Sequence, residues 1–198
     1  RVACKQCGKE FKTQWARKAE DLELPSGPVV SERFEVARNF CTKLWNASRF
    51  TLLNLSGYEA ATVSDEDLAF EDRWLLSRLS SVTREVTEKL THYGYADAAR
   101  AIYDFAWDEF CSFYIEMTKS RMQDEQAKST AQRVTAFALD QLLRLLHPMI
   151  PFVTEEVWSL LAKIAPQRGL AELQDAAESI MVASWPEVEA RRIDPVIE

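Results

Sequence analysis

Glycine is scarce, with five in 198 residues. So few residues that break regular structure favour long helices over a turn-rich β fold. No apolar run reaches 18 residues, which excludes a hydrophobic membrane span. A Gly-rich phosphate loop, a GxSxG elbow and an HExxH pair are all missing, so the chemistries those motifs carry are not expected. Only two histidines occur, His92 and His147. Each reads as a helix-end residue without a carboxylate partner. Four cysteines without a framework spacing predict no disulfides and a reducing, cytoplasmic setting. Net charge is −7, too negative for a general nucleic-acid coat. There is no signal peptide and no initial Met, and residue 1 opens in mid-motif, as expected of a piece of a longer protein.

What is present reads as helix. The 47% hydrophobic content supports a full core. Phe34, Ala37, Cys41, Leu44, Ser48, Leu52 and Leu55 recur at three- and four-residue steps, predicting one buried helical face. This helix is expected from Ser31, a good N-cap, to Gly57. Further helices are expected over 67–93, closed by Gly94, and over 95–122, with Ala98, Ile102, Phe105, Ala106, Phe110, Phe113, Tyr114 and Met117 inward. Two more are expected over 130–146, stopped by Pro148, and over 152–164. Leu170–Ala177 reads as a short amphipathic piece, Ile180–Val182 as a short extended segment, and Trp185-Pro186 as an anchor. Short links between long amphipathic helices predict an all-α antiparallel bundle of about five helices over 31–198.

The polar side of the first long helix carries Arg38, Asn39, Thr42, Lys43, Asn46 and Arg49. Between Arg33 and Phe50 there are four cations and one acid, Glu35. From Thr154 to Glu198 there are nine acids and four cations. A basic stripe on an acidic protein suits an oriented RNA contact: cations for phosphates, amides for base edges, and Phe50 for stacking. A solvated surface face is the plainer alternative. Carboxylate pairs do not make an acid–base site. Glu155-Glu156 lies in a first helical turn, where acids favour the helix dipole, and Asp108-Glu109 has no partner in sight. No catalytic residue is assigned.

Residues 1–30 stand apart as an irregular segment, with a short helix expected within 13–23 and a linker at Leu24–Pro28. Cys4-x-x-Cys7-Gly8 has the look of a zinc knuckle, with Phe11 to pack beneath it. Two thiolates are half of a tetrahedral site. Either a second ligand pair lies outside this stretch, before Arg1, or the pair holds no metal. A redox CxxC lacks its strand–helix setting.

ARNFCTKLWNASRFTLLNL, DRWLLSRL, FAWDEFCSFYIEMTKSRM, LLRLLHPMIPFVTEEVWSLL and SIMVASWPE follow one another in this order. Together they resemble the anticodon-binding domain of class I aminoacyl-tRNA synthetases of the valine, isoleucine, leucine and methionine group. The resemblance covers about residues 31–186. WDEFC followed by YIE is most similar to the valine enzymes, and the isoleucine enzymes are the near alternative. The resemblance implies a helical module that grips a tRNA anticodon stem and loop. Its Asn–Arg pattern falls on Asn46 and Arg49, with Lys119 and Arg121 as phosphate contacts. It also implies a monomeric parent enzyme that uses ATP and Mg²⁺ and carries catalytic and editing domains in the same chain. The HIGH-like and KMSKS-like signatures are absent from this stretch, so no cofactor is expected within it and activation of the amino acid belongs elsewhere. A helical bundle that binds only protein, and a small zinc-dependent module, are the rival readings.

Overall fold

The structure, a computed structural model, describes residues 1–4, 7–13, 16–27 and 32–198; nothing is described of the side chains at 32 and 33. The expected N-cap at Ser31 lies outside these residues. The chain forms two compact units, 1–39 and 40–198.

In the first unit, β1 (Val2–Ala3) and β2 (Glu10–Phe11) pair antiparallel, with Val2 opposite Phe11 and Ala3 opposite Glu10. Gly8 turns the hairpin at φ +70°, and its amide donates to the Cys4 carbonyl at 2.8 Å. The irregular segment expected here thus contains a small hairpin of two-residue strands. Lys12 then makes an isolated parallel bridge to Ser26, and its amide donates to the Pro25 carbonyl. The helix expected within 13–23 shrinks to one turn, α1 (Ala19–Leu22).

The helix α2 (Glu32–Asn54) begins in the first unit and continues into the second. Its buried stripe is Phe40, Leu44, Ala47, Ser48, Thr51 and Leu55. Phe34 and Ala37, expected inward, are exposed, Phe34 by 65%. They share the helical period of the stripe, but they lie in the small unit, where no large core exists to receive them. Gly57 takes φ +76° just after the helix.

A one-turn 3-10 helix at Asp65–Asp67 leads into α3 (Phe70–Thr91). The left-handed residue closing α3 is Tyr93, at φ +59°, rather than the expected Gly94. The turn His92–Gly94 folds α4 (Tyr95–Asp104) back against α3. The chain then widens into a π-helix, Phe105–Tyr114, before one more α-turn, α5 (Ile115–Thr118). In a π-helix the backbone bonds run five residues back. The Ile115 amide accordingly donates to the Phe110 carbonyl. Inward residues now recur every five: Phe105, Phe110 and Ile115 are all buried. That change of period corrects two expectations. Phe113 and Met117, inward on a regular α-helix, are 59% and 41% exposed. Phe113→Ser is accordingly expected to shift stability by no more than about 0.5 kcal/mol, as at other surface sites. A denaturant melt checks this; a loss on the scale of a core aromatic would contradict the register.

The core is completed by α6 (Lys128–Leu146), which packs on α3 and on α7 (Pro151–Ile164). Pro151 opens α7 at a position where its missing N–H costs nothing. His147 Nδ1 lies 2.8 Å from Thr154 Oγ1, a structural contact across this corner. The piece expected to be amphipathic after α7 is instead a hairpin, β3 (Gln167–Arg168) with β4 (Gln174–Asp175). Gly169 takes φ +144°, and a Cβ there would sit 1.8 Å from the Glu172 carbonyl oxygen, so this turn requires glycine. Ile180–Val182 forms a 3-10 turn rather than an extended segment. Trp185 anchors the tail on α3 by donating from Nε1 to Thr87 Oγ1 at 2.9 Å. The Asp194 amide donates to Ser77 of α3, and the Glu198 carboxylate accepts from Ser77, Ser81 and Arg78. No described helix is long and apolar enough to cross a membrane. The second unit is an all-α bundle with one small hairpin.

Candidate RNA interface

The outer face of α2 in the second unit presents Thr42, Trp45, Asn46, Arg49 and Leu53, all exposed. Their spacing of three and four residues places them on one side of the helix, opposite Leu44 and Thr51. Among the described residues, Asn46 and Arg49 make no hydrogen bond or ion pair with the protein. An amide and a guanidinium are therefore held out by a packed helix with their donors and acceptors unspent. Trp45 and Arg49, with Ser48 and Leu52, also border a shallow apolar cavity of about 60 Å³ closed by Val157 and Leu160 of α7.

Two expected members sit at the edge of this face. Lys43 is half-buried and turned toward the π-helix. Its ammonium donates to Ser112 Oγ at 2.6 Å and lies 4.1 Å from the centre of the Trp107 ring. Ser112 donates in turn to the Trp107 carbonyl, five residues back, as the wide helix allows. Trp107 belongs to an aromatic cluster, its ring centre 5.7 Å from Tyr103 and 6.5 Å from Phe40. One of the three ammonium hydrogens of Lys43 is thus committed, and the cation is fixed by ring and hydroxyl together. About two turns on, Phe50 is half-buried with the Lys119 ammonium 5.6 Å from its ring centre. Lys119 is exposed and reaches Glu116 at 2.6 Å. The fold therefore joins the α2 face to the π-helix through Lys43 with Ser112, and to the segment that follows it through Phe50 with Lys119.

Arg121 does not join them. Its side chain is 15% exposed and turns inward, with Nη1 and Nη2 donating to the two oxygens of Asp72 at 2.8 and 2.7 Å. Nη1 also reaches Glu71 at 3.1 Å. Asp72 is wholly buried and further accepts from the Tyr114 hydroxyl at 2.9 Å and the Ala69 amide at 3.1 Å. Burial, with the Asp72 charge beside it, holds the Tyr114 phenol well above its ordinary range, so it stays a donor. The guanidinium that the sequence offered for phosphate is spent on a carboxylate 49 residues away. Arg38 and Asn39 are exposed on the part of α2 that belongs to the first unit.

Trp45 and Leu53 went unremarked in the sequence because apolar residues on a helix read as core. Their helical phase, one residue beyond Leu44 and Leu52, was the available signal. Cys4 and Cys7 stand at the end of the N-terminal hairpin, half-buried and exposed. Among the described residues no group of three or more His, Cys, Asp or Glu is placed to hold a metal.

Known proteins match this architecture. Residues 72–197 fit the family described as the anticodon-binding domain of tRNA ligase. A valine–tRNA ligase of Rhodopirellula baltica is 53% identical over 98% of the chain, which spans 19% of that protein. One of Thermosynechococcus vestitus is 40% identical over 96% of the chain and 19% of its own length. One of Geobacter sulfurreducens is 43% identical over 87% of the chain and 18% of its own. The chain thus spans about a fifth of the length of these relatives. Among solved structures, the LeuRS of Agrobacterium radiobacter, in a ternary complex with tRNA and LeuAMS, shares the fold over 86% of this chain and 18% of its own, at TM-score 0.53 and 17% identity. The chain belongs to the family of anticodon-binding domains of tRNA ligases.

Proposed function

We propose that the outer face of α2 and the adjoining end of the π-helix hold the anticodon stem and loop of a valine-accepting tRNA, within a cytoplasmic, monomeric valine–tRNA ligase. The observation that carries this reading is the pair Asn46 and Arg49, exposed and unspent on a helix whose other side is core. Arg49, Lys119 and the remaining donors of Lys43 meet phosphates. Asn46 pairs with a base edge, and Phe50 and Trp45 offer ring faces to unstacked bases. Arg38 and Asn39 supply the same residue types earlier on α2. Arg121 is left out, because Asp72 holds it. The parent joins valine to the tRNA using ATP and Mg²⁺ in a catalytic domain elsewhere in its chain, with an editing domain beside it. Valine is favoured over isoleucine because the relatives compared are valine–tRNA ligases.

The test is tRNA binding by the 198-residue chain across a salt series. Arg49→Ala is expected to weaken binding and to lower the slope of log affinity against log salt by about 0.7 to 0.9, the loss of one phosphate contact. Asn46→Ala is expected to leave that slope alone and to reduce discrimination among transcripts that differ only in the anticodon. Both substitutions are at exposed positions and are expected to cost no more than about 0.5 kcal/mol of stability. If both variants keep parental affinity and slope, α2 is a solvated face. A chain that binds no tRNA but retains a protein partner supports the rival interaction bundle.

A further inference from the structure

We propose that Cys4 and Cys7 are half of a structural zinc site in the N-terminal hairpin, completed by two ligands from the longer parent chain. The inference does not rest on the RNA reading. The first ground is backbone geometry. The pairing of β1 with β2 brings both cysteines to one end of a hairpin. Within it the Cys4 amide donates to the Lys9 carbonyl, and the Gly8 amide to the Cys4 carbonyl, each at 2.8 Å. Gly8 takes the left-handed region although an added Cβ would meet nothing within 4 Å. Glycine is therefore required here by the turn and not by crowding. The turn reverses the chain directly after the second cysteine and leaves both at the same end of the hairpin, the C-x-x-C spacing that zinc sites use.

The second ground is energetic. In the first unit, among residues whose burial is described, Asp21 alone is buried, and no apolar side chain is. Two strands of two residues, a single helical turn and the start of α2, with no apolar side chain buried among the described residues, form a unit of the size that metals or disulfides staple. No disulfide is present among the described cysteines. A metal bound to thiolates supplies its binding energy directly to folding.

The third ground is charge. The sequence from Arg1 to Lys12 carries four cations, at 1, 5, 9 and 12, and one acid, Glu10. Two thiolates on a divalent ion leave no net charge, and four leave −2, so a cation-rich hairpin fits the fuller ligand set.

Among the described residues no further pair of ligands is grouped with the two cysteines. Burial pushes the Cys111 thiol up to about 12, so it does not supply a thiolate. No described third ligand is grouped with the pair. The parent chain, about five times as long in the relatives, is therefore the proposed source.

The experiment compares the full-length parent with its Cys4→Ser and Cys7→Ser variants, reading zinc by mass spectrometry of desalted protein. Each variant is expected to hold one zinc per chain less than the unsubstituted parent, whatever metal other sites hold. On cobalt substitution, a thiolate-to-cobalt charge-transfer band is expected to weaken in both variants. If the variants do not fold, mapping alkylated thiols on the unsubstituted parent replaces them. Cys4 and Cys7 are then expected to be protected until chelator is added. In the 198-residue chain alone they are expected to react without chelator and to retain no zinc after desalting. Unchanged zinc content in the variants, unprotected thiols in the parent, or a Cys4–Cys7 disulfide in protein purified without reductant overturns the proposal. Half a zinc per chain in a dimer of the 198-residue chain also overturns it, because the second pair then comes from another copy.

Discussion

Asp72→Ala is expected to destabilise the second unit by about 3 kcal/mol, because it strips a buried charge of its partner. The carboxylate is wholly buried and accepts from both terminal nitrogens of Arg121, from the Tyr114 hydroxyl and from the Ala69 amide. Removing it leaves a guanidinium that is 15% exposed with only Glu71 to face. It also orphans a buried phenol and the amide that precedes α3. The remaining Glu71 and a measure of solvent access place the cost at the lower end of the about 3–5 kcal/mol range for broken buried pairs. The check is the urea midpoint at unchanged m value. Asp72→Ala together with Arg121→Met is expected to recover part of the loss, since the stranded charge is gone. A loss below about 0.5 kcal/mol, the size of a surface change, would mean that the network stabilises nothing. The pair also matters for RNA. Arg121 is two residues from Lys119, and Asp72 fixes the backbone that carries Lys119 over Phe50. Arg121→Ala is expected to weaken tRNA binding with an unchanged salt slope, the mark of a positioning residue and not of a phosphate contact.

The helices were legible because Leu75, Leu79, Val82 and Val86, or Val134, Leu142 and Leu145, repeat at the helical period and find a core. Phe34 and Ala37 show what that reading misses. Periodicity states which residues share a face, but not whether anything lies opposite. The π-helix was hidden for another reason. Phe105, Phe110 and Ile115 are five apart, but Ile102, Phe105, Ala106, Phe113 and Met117 also satisfy a three-and-four pattern, so the regular helix looked sufficient. Lys43, Ser112 and Trp107 meet across two helices, a contact that no local pattern encodes. At the candidate interface, Asn46 and Arg49 were legible because their exposure follows from the phase of α2. Arg121 was not, since the acid opposite it is 49 residues away. The N-terminal hairpin was missed because its strands are two residues long, too short for alternation to show.

Asp140→Ala is expected to have the larger effect, about 4–5 kcal/mol, because one buried carboxylate there serves two guanidiniums. Asp140 has a side chain only 2% exposed, with Arg168 Nε donating to Oδ2 at 2.8 Å and Arg168 Nη2 equally near. Arg144 Nη2 lies 2.8 Å from its other oxygen. Both cations also face the ring of Trp158, at 4.5 Å for Arg168 and 5.4 Å for Arg144. Among the described residues Arg168 donates in addition only to the Ala165 carbonyl, and with a side chain 3% exposed it has little access to water. Without Asp140 two like charges share one indole and one end of α6, and the β3–β4 hairpin loses the tie that Arg168 gives it. Asp140→Asn keeps an acceptor but no charge, and is expected to fall between the two. The site opens on a cleft of about 300 Å³ lined by Arg144 and Arg168, large enough for a small anion. Formate is therefore expected to raise the midpoint of Asp140→Ala more than chloride at equal ionic strength, and to do neither for the unsubstituted chain. An Asp140→Ala chain that melts within about 0.5 kcal/mol of the parent would show that Trp158 and solvent suffice to hold both cations. Failure of formate alone would place the cost in the lost hydrogen bonds and not in the uncompensated charge.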